Sequence, residues 1–176
     1  MMAKIAMSFR TQMYVDVVNT VFTTSFSSTP FYKATFAKET YMELADRVRA
    51  ANSADVSAFG TRVAFGAMSD TVTTGFATID EMNKTGFIGN LYNVRSVLLD
   101  QAIDSSVATA DFRLPNDRVL LMSTVGDKPV KLVKEGGVRV SQETGEVDSL
   151  YKRVYKMFMS WDTGLATQAH YGIQVV

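Results

Sequence analysis

His170 is the residue whose chemistry is simplest to name, because an imidazole can take up a proton near neutral pH and act as a general base. It is the one histidine of the chain and lies in the stretch Ala169-His170-Tyr171-Gly172. A general base needs a nucleophile beside it, and no G-x-S-x-G motif accompanies this histidine. A packed or hydrogen-bonded histidine in a strand is therefore the stronger interpretation.

Two further motifs have residue types that occur in phosphate-binding or proton-transfer sites. The stretch from Gly86 to Gly89 lacks the third glycine and the preceding strand of a dinucleotide-binding loop, and no G-x-x-x-x-G-K-[ST] loop occurs. Asp80 and Glu81 are adjacent, and adjacent residues do not face each other on a helix. Turn formation explains the glycines, and the helix dipole, which favours acids in a first turn, explains the carboxylates.

Two other features could bind a partner. A basic cluster surrounds Pro129 and could contact phosphate, although a solvated strand face explains it better; its members are Lys128, Lys131 and Lys134. The segment from Met157 to Trp161 is apolar on both sides of a strand, because alternate residues point to opposite faces. Both faces are then covered, either by the domain itself or by a neighbouring molecule. Core and assembly surface stay equally open for this segment.

The inventory of side chains narrows the chemistry further. The 176 residues include no cysteine and one histidine, so disulfides, thiolate nucleophiles and Cys/His zinc sites are excluded. Eighteen basic side chains balance 18 acidic ones, which argues against a dedicated nucleic-acid binder. The longest aliphatic run, Val119 to Met122, is far shorter than the roughly 20 residues of a membrane span. We predict a protein that is not an enzyme, with no catalytic, cofactor-binding or metal-binding residue and no contact with a membrane.

Helical spacing organises the first third of the chain. An apolar stripe on a helix of about five turns recurs at Met2, Ile5, Phe9, Met13, Val17 and Val21. A Ser/Thr-rich segment from Thr23 to Pro30 follows and breaks this helix. The next predicted elements are a helix from Thr35 to Asn52, a strand from Val56 to Gly60 and a short helix through Met68 with Thr61 as its N-cap. The predicted buried face of the second helix comprises Phe36, Tyr41, Leu44, Ala45 and Val48.

Strands prevail in the rest of the chain. A short acidic helix from Glu81 to Lys84, capped by Thr78 or Asp80, ends at Gly86. The predicted strands are Val94 to Leu99, too apolar for an exposed sheet edge, Arg118 to Ser123, Val130 to Val133, and a long aromatic and Met-rich strand from Tyr151 to Trp161. Breaks are predicted at Gly136-Gly137, at Thr144-Gly145 and at Asp162-Thr163-Gly164. Short helices mixed with non-alternating strands indicate an α+β fold rather than a doubly wound sheet.

Several stretches follow one another in an order that is found in a known family. They are Phe36 to Asn52, Val56 to Met68, Glu81 to Gly89, Asn93 to Val97, Asn116 to Met122, Lys128 to Lys131 and Trp161 to Tyr171. This order resembles the major capsid proteins of tailed bacteriophages, which have the Hong Kong ninety-seven type fold. The stretch from Lys84 to Gly89 is similar to the K-T-G-x-x-G turn of that family. The resemblance is one of order and pattern over nearly the whole chain, and no single motif is diagnostic.

The resemblance implies an α+β capsid fold with a central mixed sheet and flanking helices. Residues 1–29 would form the end of the spine helix in the peripheral domain, residues 30–150 the axial domain, and residues 151–176 the returning strands of the peripheral domain and the C-terminal strand. Family members are longer, so the chain would be their C-terminal axial-domain portion, either as a fragment or with the missing parts in another chain. On this basis Pro30 to Leu150 alone is expected to behave better than all 176 residues.

For function, the resemblance implies a structural subunit of an icosahedral tailed-phage head. Such subunits self-assemble into pentamers and hexamers around double-stranded DNA, which they contact non-specifically, and they work with scaffold, portal and decoration proteins. They are found in the virion and, during assembly, in the host cytoplasm. No asparagine occurs between Asp148 and Val176, so the asparagine–lysine crosslink of some family members is not expected. Two alternatives stay open: an encapsulin-like compartment shell and a small-molecule-binding α+β domain.

Overall fold

The computed structural model describes residues 2–23, 31–72, 80, 83–103, 111–125, 130–147, 150–165 and 171–176. This part of the chain has an α+β fold, as the sequence predicts. Its helices are α1 (Met2–Thr23), α2 (Lys38–Asn52) and α3 (Arg62–Asp70). Its strands are β1 (Tyr32–Lys33), β2 (Val56–Gly60), β3 (Asn90–Leu91), β4 (Val94–Leu98), β5 (Arg118–Ser123), β6 (Val130–Val147), β7 (Leu150–Leu165) and β8 (Tyr171–Val175).

The central sheet is mixed and has six strands, in the order β1-β8-β5-β2-β4-β3. Strands β1 and β8 are parallel, as are β2 and β4, and the other three pairs are antiparallel. Strand β8 lies between β1 and β5, although it follows every other strand of this sheet in the sequence. Strands β6 and β7 form a separate two-stranded hairpin.

Helices α2 and α3 cover one face of the sheet and α1 covers the other. Strand β5 contributes side chains to the packing on both faces of the sheet. Val119 and Leu121 pack in the cluster of α2 and α3, whereas Leu120 packs with the end of α1. Helix α2 approaches the backbone of β8 so closely that a Cβ atom at Gly172 would lie 2.7 Å from Cδ1 of Leu44. The glycine is therefore needed for this packing.

The elements from α2 to α3 follow their sequence signals closely. The buried face of α2 is the predicted one, with Tyr41, Leu44, Ala45 and Val48. The helix ends at Asn52, and Ser53 takes the left-handed conformation, with φ +50°. At the start of α3, Oγ1 of Thr61 accepts a hydrogen bond from the backbone N–H of Ala64, so the predicted N-cap is confirmed.

Helix α1 has the predicted length, but of the predicted stripe only Val21 is fully buried among the described side chains. Its buried side chains are Val15, Val21 and Phe22, whereas Met13 and Val17 of the predicted stripe are only half-buried. Of the predicted stripe, Met2 and Ile5 have side chains outside the described part of the structure. The end of α1 is held by Arg118, whose Nη1 donates a hydrogen bond of 2.6 Å to the backbone oxygen of Phe22.

The hairpin of β6 and β7 corrects three predictions. Strand β6 is continuous, so the predicted turns at Gly136-Gly137 and Thr144-Gly145 are wrong. The first glycine pair instead lies in a β-bulge between Glu135 and Arg139, where Gly136 has φ +70°. Strand β7 continues through the predicted break at 162–164 to its pairing of Leu165 with Val130. Pairing along two long strands overrides the local turn preference of these residues.

Some predictions are confirmed only in part. Gly86 has φ +82°, which confirms it as a turn glycine, but Gly89 is not among the positive-φ glycines of the described residues. Thr78, Glu81 and residues 24–30 lie outside the described part of the chain. The division into residues 1–29, 30–150 and 151–176 stays a prediction. Two observations bear on its boundaries: the hairpin spans residue 150, and β8 belongs to the same sheet as β1 to β5.

Candidate functional site

The charged groups proposed from the sequence do not form a common site in the structure. Lys131 lies opposite Gly164 and Lys134 opposite Trp161, so the two lysines are on opposite faces of β6. Lys128 and His170 lie outside the described residues. Within the described ranges no three acidic or histidine side chains are close enough to hold a metal ion.

The densest charge cluster ties β1 to α2. Glu43 accepts hydrogen bonds from Nζ of Lys33 at 2.7 Å and from the guanidinium of Arg47 at 2.7 and 3.0 Å. The hydrogen bond from Lys33 is the main reason that the pKa of Glu43 is lowered, with Arg47 adding to it. Glu43 and Arg47 are four residues apart on α2, a spacing that favours such an ion pair, so the exposed cluster has a structural explanation.

The inner face of the hairpin packs on α1 around Trp161, whereas Leu132 and Lys134 on the same face stay exposed. The indole Nε1 of Trp161 donates a hydrogen bond of 2.9 Å to Oδ2 of Asp16, and its ring meets that of Phe9 edge to face, with 6.1 Å between centroids. Two positions further along β7, the hydroxyl groups of Thr163 and Thr20 are 2.7 Å apart. One side of the apolar segment around Trp161 is therefore packed within the chain itself.

The opposite side of the hairpin is open. We call it the outer face, and its residues occupy alternate positions opposite one another in the register: Val133, Glu135, Arg139, Phe158, Ser160 and Asp162. All six are exposed, including the two large apolar side chains, Val133 at 65% and Phe158 at 56%. The described residues leave this face uncovered, so it is available to another molecule.

A second apolar surface lies at one edge of the central sheet. We call it the edge patch, and its members are Val63 (57% exposed), Leu98 (38%), Ile103 (60%) and Phe112 (57%). Strand β3 pairs only with Val94 and Arg95, so among the described strands the far end of β4 is left as an edge. The strand predicted from Val94 to Leu99 is observed as Val94–Leu98, but Leu98 at its apolar end is 38% exposed, contrary to the expectation from its composition.

An apolar cavity of about 260 Å³ lies between α1, the sheet and the start of β6. Its polar lining comes from Ser123 and Thr124. The hydroxyl of Ser123 already donates to the backbone oxygen of Val125 at 2.8 Å and accepts from its N–H at 3.1 Å. No pattern in the sequence indicates this cavity, because its walls come from segments that are far apart in the chain.

No protein-family model matches the sequence, and no curated protein matches it either. None of the helices in the described ranges combines the length and the apolar character of a membrane span. Among the described residues, the outer face, the edge patch and the cavity offer apolar surface to a partner or a ligand.

Proposed function

We propose that this chain is a structural subunit of an icosahedral tailed-phage head, with the Hong Kong ninety-seven type fold. In this proposal it is not an enzyme. Copies of it associate into pentamers and hexamers that enclose double-stranded DNA. The observation that carries the proposal is the hairpin, which has one face packed on α1 and an outer face where two large apolar side chains lie exposed among charged ones, with nothing from the described residues over it.

The physical argument starts from the weakness of a two-stranded sheet. An isolated hairpin is marginally stable in water and presents two unpaired edges. Strand β6 has 18 residues, which at about 3.3 Å per residue gives an extended ribbon. A ribbon of this length gains stability when Phe158 and Val133 are buried against a second molecule.

The edge patch supports assembly through a different part of the molecule. Leu98 lies in β4, Val63 lies in α3, and Ile103 and Phe112 pair with each other in a β-bridge. These residues all precede the hairpin in the sequence. A contact between unlike surfaces, such as an outer face and an edge patch, is heterologous, and such contacts close into rings when the rotation closes. Equal numbers of acidic and basic residues allow many copies to lie side by side without accumulated repulsion.

The test is the size of the purified protein and of two surface variants. We expect the wild type to form closed shells or rings of five and six copies in negative-stain images, with matching sedimentation velocity. Phe158→Asp on the outer face and Leu98→Asp on the edge patch should shift the protein towards small species, because a charge is then buried at the contact. Val125→Asp is the matched control, since Val125 is 67% exposed and belongs to neither surface.

A wild-type protein that sediments only as a monomer at micromolar concentration would contradict the proposal and favour the small-molecule-binding alternative. Assembly that Val125→Asp weakens as much as Phe158→Asp would show that neither surface is specific. Nuclease-resistant double-stranded DNA in particles from the native host supports a phage head. A cargo enzyme in its place would identify an encapsulin-like compartment instead.

A further inference from the structure

The cavity beneath α1 has a lining that is almost entirely apolar. Eight of its ten lining residues are apolar, and no charged side chain of the described part of the chain is among them. The main walls are Val17, Val18 and Val21 from α1 and Phe59, Leu120 and Met122 from the sheet. Water in such a space finds few hydrogen-bond partners, since Ser123 and Thr124 are the two polar residues of the described lining and the hydroxyl of Ser123 is already paired.

The walls are held apart by contacts outside the cavity. Arg118 fixes the end of α1 to β5 through the carbonyl of Phe22, and Asn19 donates a hydrogen bond of 3.3 Å to the backbone oxygen of Arg113. On the hairpin side, Thr20 is bonded to Thr163. Because these polar contacts set the position of the helix, the space cannot close by a simple shift of α1, and it is pre-formed for a ligand.

We propose that this cavity binds a neutral, apolar small molecule with two or three aromatic rings or an alkyl chain of similar volume. An apolar cavity of about 150 Å³ binds benzene, so about 260 Å³ accommodates a larger molecule of the same kind. The lining formed by the described residues is uncharged, so the part of the ligand that it contacts should be uncharged too, because a charged group there would lose its hydration without a partner.

The floor of this space is more buried than its rim. Val21 and Leu120 are only 5% and 6% exposed whereas Thr124 at the rim is exposed, so the flat surface of another chain reaches the rim but cannot reach the floor. A small molecule that enters between α1 and the sheet can do so. This inference does not depend on the proposed role in a capsid, since it concerns a site inside one subunit.

Two dyes with the same ring system test the effect of ligand charge. N-phenyl-1-naphthylamine is neutral, and 1-anilinonaphthalene-8-sulfonate carries a sulfonate on the same aromatic frame. We expect the neutral dye to bind the wild type saturably, with increased and blue-shifted fluorescence that salt does not change. The sulfonate dye should bind at least about tenfold more weakly.

Cavity-filling variants test the location. Val17→Phe and Met122→Phe place a ring in the space and should weaken binding of the neutral dye by about tenfold or more. Met42→Phe is the control, because Met42 is partly exposed on α2 and lies outside this cavity, and it should bind as the wild type does. Circular dichroism checks that each variant is folded, and Met122→Phe decides between the outcomes if Val17→Phe does not fold.

If neither filling variant folds, methyl NMR of the wild type locates the bound dye. The neutral dye should then shift the methyl signals of Val18 and Leu120 and leave those of Val63 unchanged. Equal binding of both dyes, no binding of the neutral dye, or undiminished binding by the folded filling variants would each overturn the proposal.

Discussion

At the scale of single residues, burial and charge act in opposite directions on two neighbours in α2. The hydroxyl of Tyr41 is fully buried and has no hydrogen-bond partner among the described residues. Burial raises the pKa of Tyr41 well above its usual range, because a phenolate has no solvation in this core. Glu43 is exposed, and the Lys33 ammonium beside it lowers the pKa of the carboxyl. The ring of Tyr41 thus packs in the core, while its hydroxyl group stays without a hydrogen-bond partner among the described residues.

Replacing Tyr41 with Phe removes this hydroxyl and keeps the ring. We expect the free energy of unfolding to rise by about 1 kcal/mol at neutral pH, since an unpaired buried group no longer has to be desolvated. In the wild type the unfolded chain ionises Tyr41 above a pH of about 10 while the folded chain does not, so stability falls by about 1.4 kcal/mol per pH unit from this residue. The Phe variant lacks that loss.

The gap between the variant and the wild type should therefore be constant below a pH of about 9 and widen above about 10. Urea denaturation of both proteins at a pH of about 8 and about 10.5 measures it. An equal gap at the two pH values would mean that Tyr41 ionises in the folded protein as readily as in the unfolded one.

At the scale of elements, α1 is the joint between the sheet and the hairpin. Val15, Val21 and Phe22 pack towards the sheet side, and Asp16 and its neighbours bind the hairpin. The contact between Asp16 and Trp161 is a hydrogen bond from a neutral donor to a carboxylate in a partly buried place, which is a strong type of contact.

Replacing Asp16 with Ala should loosen the hairpin from α1. We expect a loss of about 1 to 3 kcal/mol in the free energy of unfolding, because the indole N–H of Trp161 loses its acceptor. Trp161 is the one tryptophan of the chain, so its emission spectrum should shift to longer wavelength as water reaches the ring. Asp46→Ala is the control, since Asp46 is exposed and bonds only to Arg49 among the pairs described. Identical emission from wild type and Asp16→Ala would show that the contact does not hold the hairpin.

The elements of this chain are easier to predict from the sequence than their neighbours in space. Helix α2, strand β5 and the cap at Thr61 follow from local signals, namely apolar spacing and a hydroxyl before a helix. The face of α1 does not, because Asp16 binds Trp161, which lies 145 positions away in the chain. The turn predicted at Gly136-Gly137 is wrong for a related reason, since a glycine with positive φ occurs both in turns and in β-bulges. The apolar character around Phe158 is visible in the sequence, whereas the edge patch depends on the sheet order.

At the scale of the whole molecule, the position of β8 joins distant parts of the chain. Its residue Ile173 pairs with Leu120 of β5 on one side and with Tyr32 of β1 on the other. The same strand carries Gly172 against α2. A fragment of residues 30–150 lacks β8, so the packing would be incomplete on both faces of the sheet.

From this sheet order we expect the opposite of the earlier prediction, namely that Pro30 to Leu150 alone is less stably folded than the whole chain. We expect residues 30–150 to unfold without a cooperative transition in urea, because β5 loses a neighbour and β1 loses its partner in the described sheet. The same result is expected for residues 30–170, and residues 30–176 are the matched control for that fragment, since both lack α1, both keep β7 and only the longer one has β8. Circular dichroism and gel filtration compare the two. Equally sharp transitions for both fragments would show that β8 is dispensable for the sheet.

The late position of β8 in the chain also has a consequence during synthesis. The ribosome releases β1, β2, β4 and β5 first, and 47 residues separate Ser123 from Tyr171. At about 5 to 20 residues per second, this interval lasts roughly 2 to 10 seconds. Throughout it, the slot between β1 and β5 is open, with backbone donors and acceptors unpaired on the side of β5 that β8 later fills. The nascent chain therefore passes through a stage in which its sheet can accept a strand from a chain emerging on a neighbouring ribosome. Protection of the open edge of β5 during those seconds determines how many molecules fold with their own β8 in place.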